Sequence, residues 1–90
     1  MKESNLVSSI RKYLRSINGI KVIKIHGSSY TEIGTPDLIG CYQGRMFLIE
    51  VKMPGNHPTP IQIHRMKQWE NAGAIVFVAN DLKEVENKIK

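Results

Sequence analysis

Gly34-Thr35-Pro36-Asp37-Leu38-Ile39-Gly40-Cys41-Tyr42 and Arg45-Met46-Phe47-Leu48-Ile49-Glu50-Val51-Lys52 meet at Gln43-Gly44. Two short apolar runs joined by such a dipeptide predict a β-hairpin. If the turn is tight, Tyr42 faces Arg45, and counting outward sets Asp37 directly across from Glu50. Opposed residues of an antiparallel pair have Cβ atoms roughly 4.5–5.5 Å apart, and like charges there are destabilising. A fold keeps such a pair when a cation sits between the carboxylates. Lys52 lies two residues past Glu50 and so shares its face of the strand. Two carboxylates and an ammonium beside a sheet outline a hydrolytic metal site. An ordinary alternative stands next to this: Pro-Asp is a common turn pair, and Glu50 and Lys52 could be the solvated end of an edge strand. The apolar character of both runs on both faces favours strands inside a sheet.

Ninety residues suit one domain spanning 1–90, burying roughly 60–65% of the unfolded chain's surface. Hydrophobic residues at 41% and charged residues at 23% are ordinary for a globular protein. No apolar run approaches the ~18 residues of a membrane span, and Met1-Lys2-Glu3-Ser4-Asn5 lacks the features of a signal peptide. The single cysteine, Cys41, cannot form an internal disulfide and falls in a strand expected to be buried. Together these features predict a cytoplasmic protein with no membrane partner. The net charge of +5 favours a polyanionic partner.

Leu6, Val7, Ile10, Tyr13, Leu14 and Ile17 recur at helical spacing, predicting a helix over 3–18 that stops at Asn18-Gly19. Residues 20–25 form a β-branched run and read as a first strand. The polar segment 26–32 is a loop running into Gly34. Within it, His26 is a candidate phosphate contact, and Ser28, Ser29 and Tyr30 could meet phosphates or stack on a base. Two prolines and a glycine after Met53 break the hairpin's second strand. Thr59-Pro60-Ile61-Gln62 then opens a helix as a capping box with Pro at its first position. Gln62, Met66 and Trp69 share one stripe of that helix, so Gln62 faces the sheet near Glu50 and Lys52. His64, Arg65 and Lys67 lie on other faces, where His64 and Arg65 could add phosphate contacts. Residues 74–79 read as a buried strand and 81–90 as a final helix. The order α-β-β-β-α-β-α predicts an α/β fold with a mixed central sheet flanked by helices. The hairpin supplies antiparallel pairing, and the crossover helix supplies a parallel one.

Pro36-Asp37 and Glu50-Val51-Lys52 resemble the PD-(D/E)xK nuclease signature. With Gly34-Thr35 ahead of it and Thr59-Pro60-Ile61-Gln62 behind, the chain more narrowly resembles the VRR-NUC branch, the virus-type replication-repair nucleases, in standalone form. The likeness runs from Glu3 to Val78. It implies a restriction-endonuclease-like fold and an endonuclease that hydrolyses phosphodiester bonds, leaving a 5′-phosphate. It also implies that Gln62 lies beside the site and that Glu3, on the first helix, can reach the metal. Standalone members look like homodimers acting on branched DNA such as four-way (Holliday) junctions, and the resemblance admits a phage- or virus-encoded protein working in a host cytoplasm.

The residues then take roles. Asp37, Glu50 and the backbone carbonyl of Val51 would hold Mg²⁺ or Mn²⁺, with Glu3 a further candidate ligand. Hard oxygen donors without a Cys-His cluster suit those cations rather than structural zinc. Lys52 would stabilise the attacking hydroxide and the charge gathering on the phosphate. Duplex or branched DNA is the expected partner, with no small-molecule substrate. Two other classes compete: a non-catalytic basic nucleic-acid-binding module on a nuclease fold, and a structural component of a ribonucleoprotein. Neither has a use for the acidic pair.

Overall fold

The computed structural model describes residues 2–27 and 31–89. Its elements are α1 (Glu3–Arg15), β1 (Ile20–Lys24), β2 (Leu38–Tyr42), β3 (Arg45–Val51), α2 (Pro60–Asn71), β4 (Ile75–Ala79) and α3 (Leu82–Ile89). The α-β-β-β-α-β-α order is the expected one. The strands form a mixed sheet in the order β1-β2-β3-β4, antiparallel across the first two pairings and parallel between β3 and β4. The strands that lead from Asp37 and into Glu50 are therefore the inner two.

Gln43 and Gly44 have φ of 52° and 79°. Positive φ at both central residues matches the right-handed twist of flanking strands, as two-residue hairpin turns require. The turn sets the register from Tyr42↔Arg45 to Leu38↔Ile49. Extended by one residue, that register lays Asp37 opposite Glu50.

Strand alternation sends Val22, Leu38, Phe47, Ile49 and Val51 to one face. There they pack with Leu6, Val7, Ile10 and Leu14 of α1 and Val85 and Ile89 of α3. Gly40 on β2 belongs to this layer: a Cβ there would stand 2.5 Å from the Phe47 ring and 2.4 Å from the Lys21 carbonyl. Only glycine admits that ring. The helix α1 ends at Arg15 rather than 18, because Ser16 and Ile17 turn their N–H groups to carbonyls three residues back. Gly19, at φ 89°, then reverses the chain into β1.

The opposite face is covered only in part. Helix α2 packs against β4, leaving an apolar hollow of about 320 Å³ bordered by Lys21, Ile23, Ile39, Gly40, Cys41 and Met46. Cys41 is consequently exposed, not buried as expected. Its strand is internal to the sheet, but no helix lies over it. The expectation for β4 also needs correction. It is an edge strand, and Ile75, Val76 and Val78 are only partly buried.

Candidate metal centre

The centre forms at the end of the sheet where β3 finishes and β2 begins. Asp37 enters β2 from a buried Pro36. Its carbonyl accepts the Ile25 N–H at 2.8 Å, extending the β1–β2 pairing by one rung. Its carboxylate oxygen Oδ2 accepts the Val51 N–H at 2.8 Å. A strand residue turns its N–H and C=O to the same neighbour, so the Val51 carbonyl is also directed to the Asp37 side. Glu50, on β3, is 2% exposed. Glu3 arrives from the first turn of α1. One carboxylate oxygen each from Glu3, Asp37 and Glu50 lies within 4.8 Å of the other two. Three elements distant in sequence thus supply one acidic triad.

Lys52 and Gln62 both meet Glu50. The Lys52 Nζ is 3.5 Å from Oε2, and Gln62 Nε2 donates to the same oxygen at 3.3 Å. The other end of the Gln62 amide accepts the Thr59 N–H at 2.9 Å, while the Thr59 hydroxyl accepts the Gln62 N–H. The capping box and the contact with the triad coexist in one side chain. The backbone of Lys52 is fixed as well. Its N–H donates to the Ala79 carbonyl, and its carbonyl accepts from Asn80 Nδ2 at 3.1 Å. By sequence, Asn80 with Asp81 fits the start of α3 as a cap and nothing more. The available signal was its place just past a strand parallel to β3, beside Lys52.

Electrostatics mark Glu50. Burial first, and the Asp37 carboxylate second, push its pKa from 4.5 up to about 7, partly offset by Lys52. A buried acid beside two others is costly when ionised, and a cation among them removes that cost.

Further contacts hold the segment ahead of Asp37 against α2. Gly34, at φ 86°, leaves so little room that a Cβ would stand 2.9 Å from the Ile61 carbonyl. The Arg65 Nε donates to the Ile33 carbonyl at 3.0 Å and pairs with Glu32 at 3.0 Å, while its Nη1 donates to Gln68 Oε1. The Thr35 N–H and hydroxyl both donate to the Glu32 carbonyl. Arg65, a candidate phosphate contact by sequence, thus has its guanidinium engaged within the protein. His26 and His64 are exposed, and neither joins the group of potential ligands. Ser28, Ser29 and Tyr30 lie outside the described residues. A hollow of about 240 Å³ lined by Ile25, Gly27, Thr31, Glu32 and Asp37, among others, opens beside the centre.

The donor set suits a hard divalent cation. Three carboxylate oxygens within 4.8 Å of one another could be shared by a single hard divalent cation, which takes oxygen ligands. All three side-chain donors are carboxylates, and the exposed Cys41 lies outside the group.

No family model matches the sequence, and no curated protein matches it. Solved structures do. A VRR_NUC domain superposes with a TM-score of 0.77 at 25% identity, over 94% of this chain and 90% of that one. A VRR_NUC domain protein gives 0.74 at 19% identity, over 97% and 84%. The Holliday junction resolvase Hjc of the archaeal hyperthermophile Archaeoglobus fulgidus gives 0.64 at 19% identity, over 84% of this chain and 65% of Hjc. The mixed sheet and its helices are accordingly a restriction-endonuclease-like fold.

Proposed function

We propose that this chain, a VRR-NUC domain with a nuclease fold, is an endonuclease dependent on Mg²⁺ or Mn²⁺ that hydrolyses phosphodiester bonds in DNA. The observation that carries the reading is the triad of Glu3, Asp37 and Glu50 with Lys52 and Gln62 against it. Glu3, Asp37, Glu50 and the Val51 carbonyl would hold the ion. When bound, it supplies Lewis-acid polarisation of the scissile phosphate and a more acidic water.

The protein's own groups do the rest. The Val51 N–H holds the Asp37 carboxylate in one orientation. Glu50 is kept in place by Lys52 and, from α2, by Gln62. The Lys52 ammonium, one strand repeat from Glu50 and 3.5 Å from its Oε2, stabilises negative charge as it gathers on the phosphate oxygens. Stabilisers of that kind are worth roughly 10²–10³ in rate. The Gln62 amide, fixed at its carbonyl end by the cap, offers its N–H₂ to a water or a phosphate oxygen.

The substrate is branched DNA such as a four-way junction, and the active unit is a homodimer. Hjc, of like fold, is a Holliday junction resolvase. Cutting two strands of a symmetric junction calls for two sites related by a two-fold axis. The apolar hollow on the uncovered sheet face offers a surface for self-association. The work place is the cytoplasm; no helix among the described residues is long and apolar enough to cross a membrane.

The test is cleavage of junction, linear duplex and single-stranded DNA with Mg²⁺, Mn²⁺ or chelator, paired with sedimentation at micromolar concentration. Metal-dependent scission lost in Asp37→Asn is expected. Binding without metal-dependent scission would leave a non-catalytic module instead. A monomer that cuts duplex as readily as a junction would defeat the dimeric, junction-directed part alone.

A further inference from the structure

Helix α1 carries Glu3 to the triad on one stripe, continued by the buried Val7, Ile10 and Leu14. One residue further round, Ser4, Ser8, Arg11 and Arg15 follow at i, i+4, i+7 and i+11, a second stripe along the same helix. Ser8, Arg11, Arg15 and the adjoining Lys12 line a shallow hollow of about 280 Å³. The cations there are unneutralised. Neither ion pair among the described residues involves them, and Glu3 is the sole acid on α1. Arg11 adds a sharper observation: its Nε is buried and has no hydrogen-bond partner among the described residues. A charged donor withdrawn from water with nothing to meet is unfavourable. An anionic oxygen reaching the hollow would satisfy it.

Basic residues near a helix C-terminus commonly answer the helix dipole, and that could account for Lys12 and Arg15. It does not account for Arg11, whose stem is half-buried in the body of the helix. Arginine's planar fork suits phosphate oxygens, and here its orientation is already restricted by packing.

We propose that this stripe is the track along which the phosphate backbone of the substrate strand runs away from the scissile phosphate. The inference rests on the nuclease reading above and adds to it where the flanking strand lies. Both stripes begin at the first turn of α1, so a strand held at the triad meets Ser4 first and Arg15 last. From Ser4 to Arg15 the helix rises about 16 Å. At ~3.4 Å per nucleotide along a duplex strand, that accommodates roughly four or five nucleotides.

The test is the salt dependence of binding. Fluorescein-labelled junction and duplex are titrated with the 90-residue protein in chelator, between 50 and 200 mM salt, and followed by anisotropy. Each phosphate neutralised contributes about 0.9 to the slope of log K against log salt. Arg11→Gln/Lys12→Gln/Arg15→Gln should flatten the slope by about 2.7 and weaken binding at low salt, with Mn²⁺ affinity unchanged. Lys83→Gln, at an exposed position on α3, serves as the control for net charge and should leave the slope alone. Should the triple variant fold poorly, Arg15→Gln by itself, at an exposed position, should lower the slope by about 0.9. A slope unchanged by these substitutions, or lowered equally by Lys83→Gln, would overturn the track. If wild-type protein cleaves DNA while the slopes stay equal, only the track fails. If it neither binds nor cleaves DNA, the nuclease reading fails with it.

Discussion

Glu50 is the one fully buried charged side chain among the described residues, and its environment has a measurable sign. Its pKa in the fold is about 7, against about 4.5 unperturbed. A raised carboxyl contributes stability that is complete below the unperturbed value and is lost as pH rises through the folded one. In chelator, stability should therefore fall between pH 4.5 and about 7, by an amount on the order of 3 kcal/mol from this group. Glu50→Gln should remove that fall, and saturating Mn²⁺ should reverse it by binding the ionised triad. Thermal melts across that range decide the point; parallel curves for wild type and variant would refute it. Lys52 tests chemistry apart from binding. An ammonium is not a metal ligand, so Lys52→Met should keep Mn²⁺ affinity within several-fold while slowing single-turnover cleavage by roughly 10²–10³. A near-wild-type rate would leave Lys52 with no part in the reaction. These residues were legible in sequence because a strand's period of 2 and a tight turn place Asp37, Glu50 and Lys52 without any tertiary knowledge. Asn80 was not legible as the residue that holds Lys52, since that hydrogen bond depends on the register of the parallel pairing, Val51 with Ala79, which a helical crossover does not fix.

At the scale of elements, α2 does two jobs with one flank. Gln62 caps the helix and touches Glu50, while Arg65, three residues on, clasps the segment that delivers Asp37. Groups that orient metal ligands without touching the metal typically matter roughly 10–100-fold. Arg65→Gln should accordingly weaken Mn²⁺ binding about tenfold without changing the salt slope of DNA binding, and Glu32→Gln should follow it. An Arg65 that instead met a phosphate would lower the slope by about 0.9 when replaced, and Glu32→Gln would tighten DNA binding. The capping box of α2 was plain from Thr59-Pro60-Ile61-Gln62, and α1 from its apolar stripe. The exposure of Cys41 was not. Alternation tells which residues share a face, but not whether a helix covers it. That is decided by where the β3–β4 crossover sends α2.

Across the whole molecule, the two faces of the sheet are unequally secured. Most of the buried apolar side chains lie on the side of α1 and α3, whereas α2 buries none of its twelve residues fully. Its attachments are half-buried Met66 and Trp69, the Arg65 clasp and the Gln62 contact. Stability in proteins is distributed unevenly, and lightly buried elements open at lower free energy than the core. The helix α2 should therefore breathe as a unit while the remaining layers stay closed. Trp69, the chain's single tryptophan, sits on it as a built-in optical reporter. Under mild urea its emission should shift before far-UV ellipticity is lost, and α2 amide protons should exchange faster than those of β3. Coincident transitions would mean that helix and core unfold together. Each such opening lifts Gln62 off Glu50, so the fraction of time the centre is assembled is set by how firmly one helix rests on the sheet.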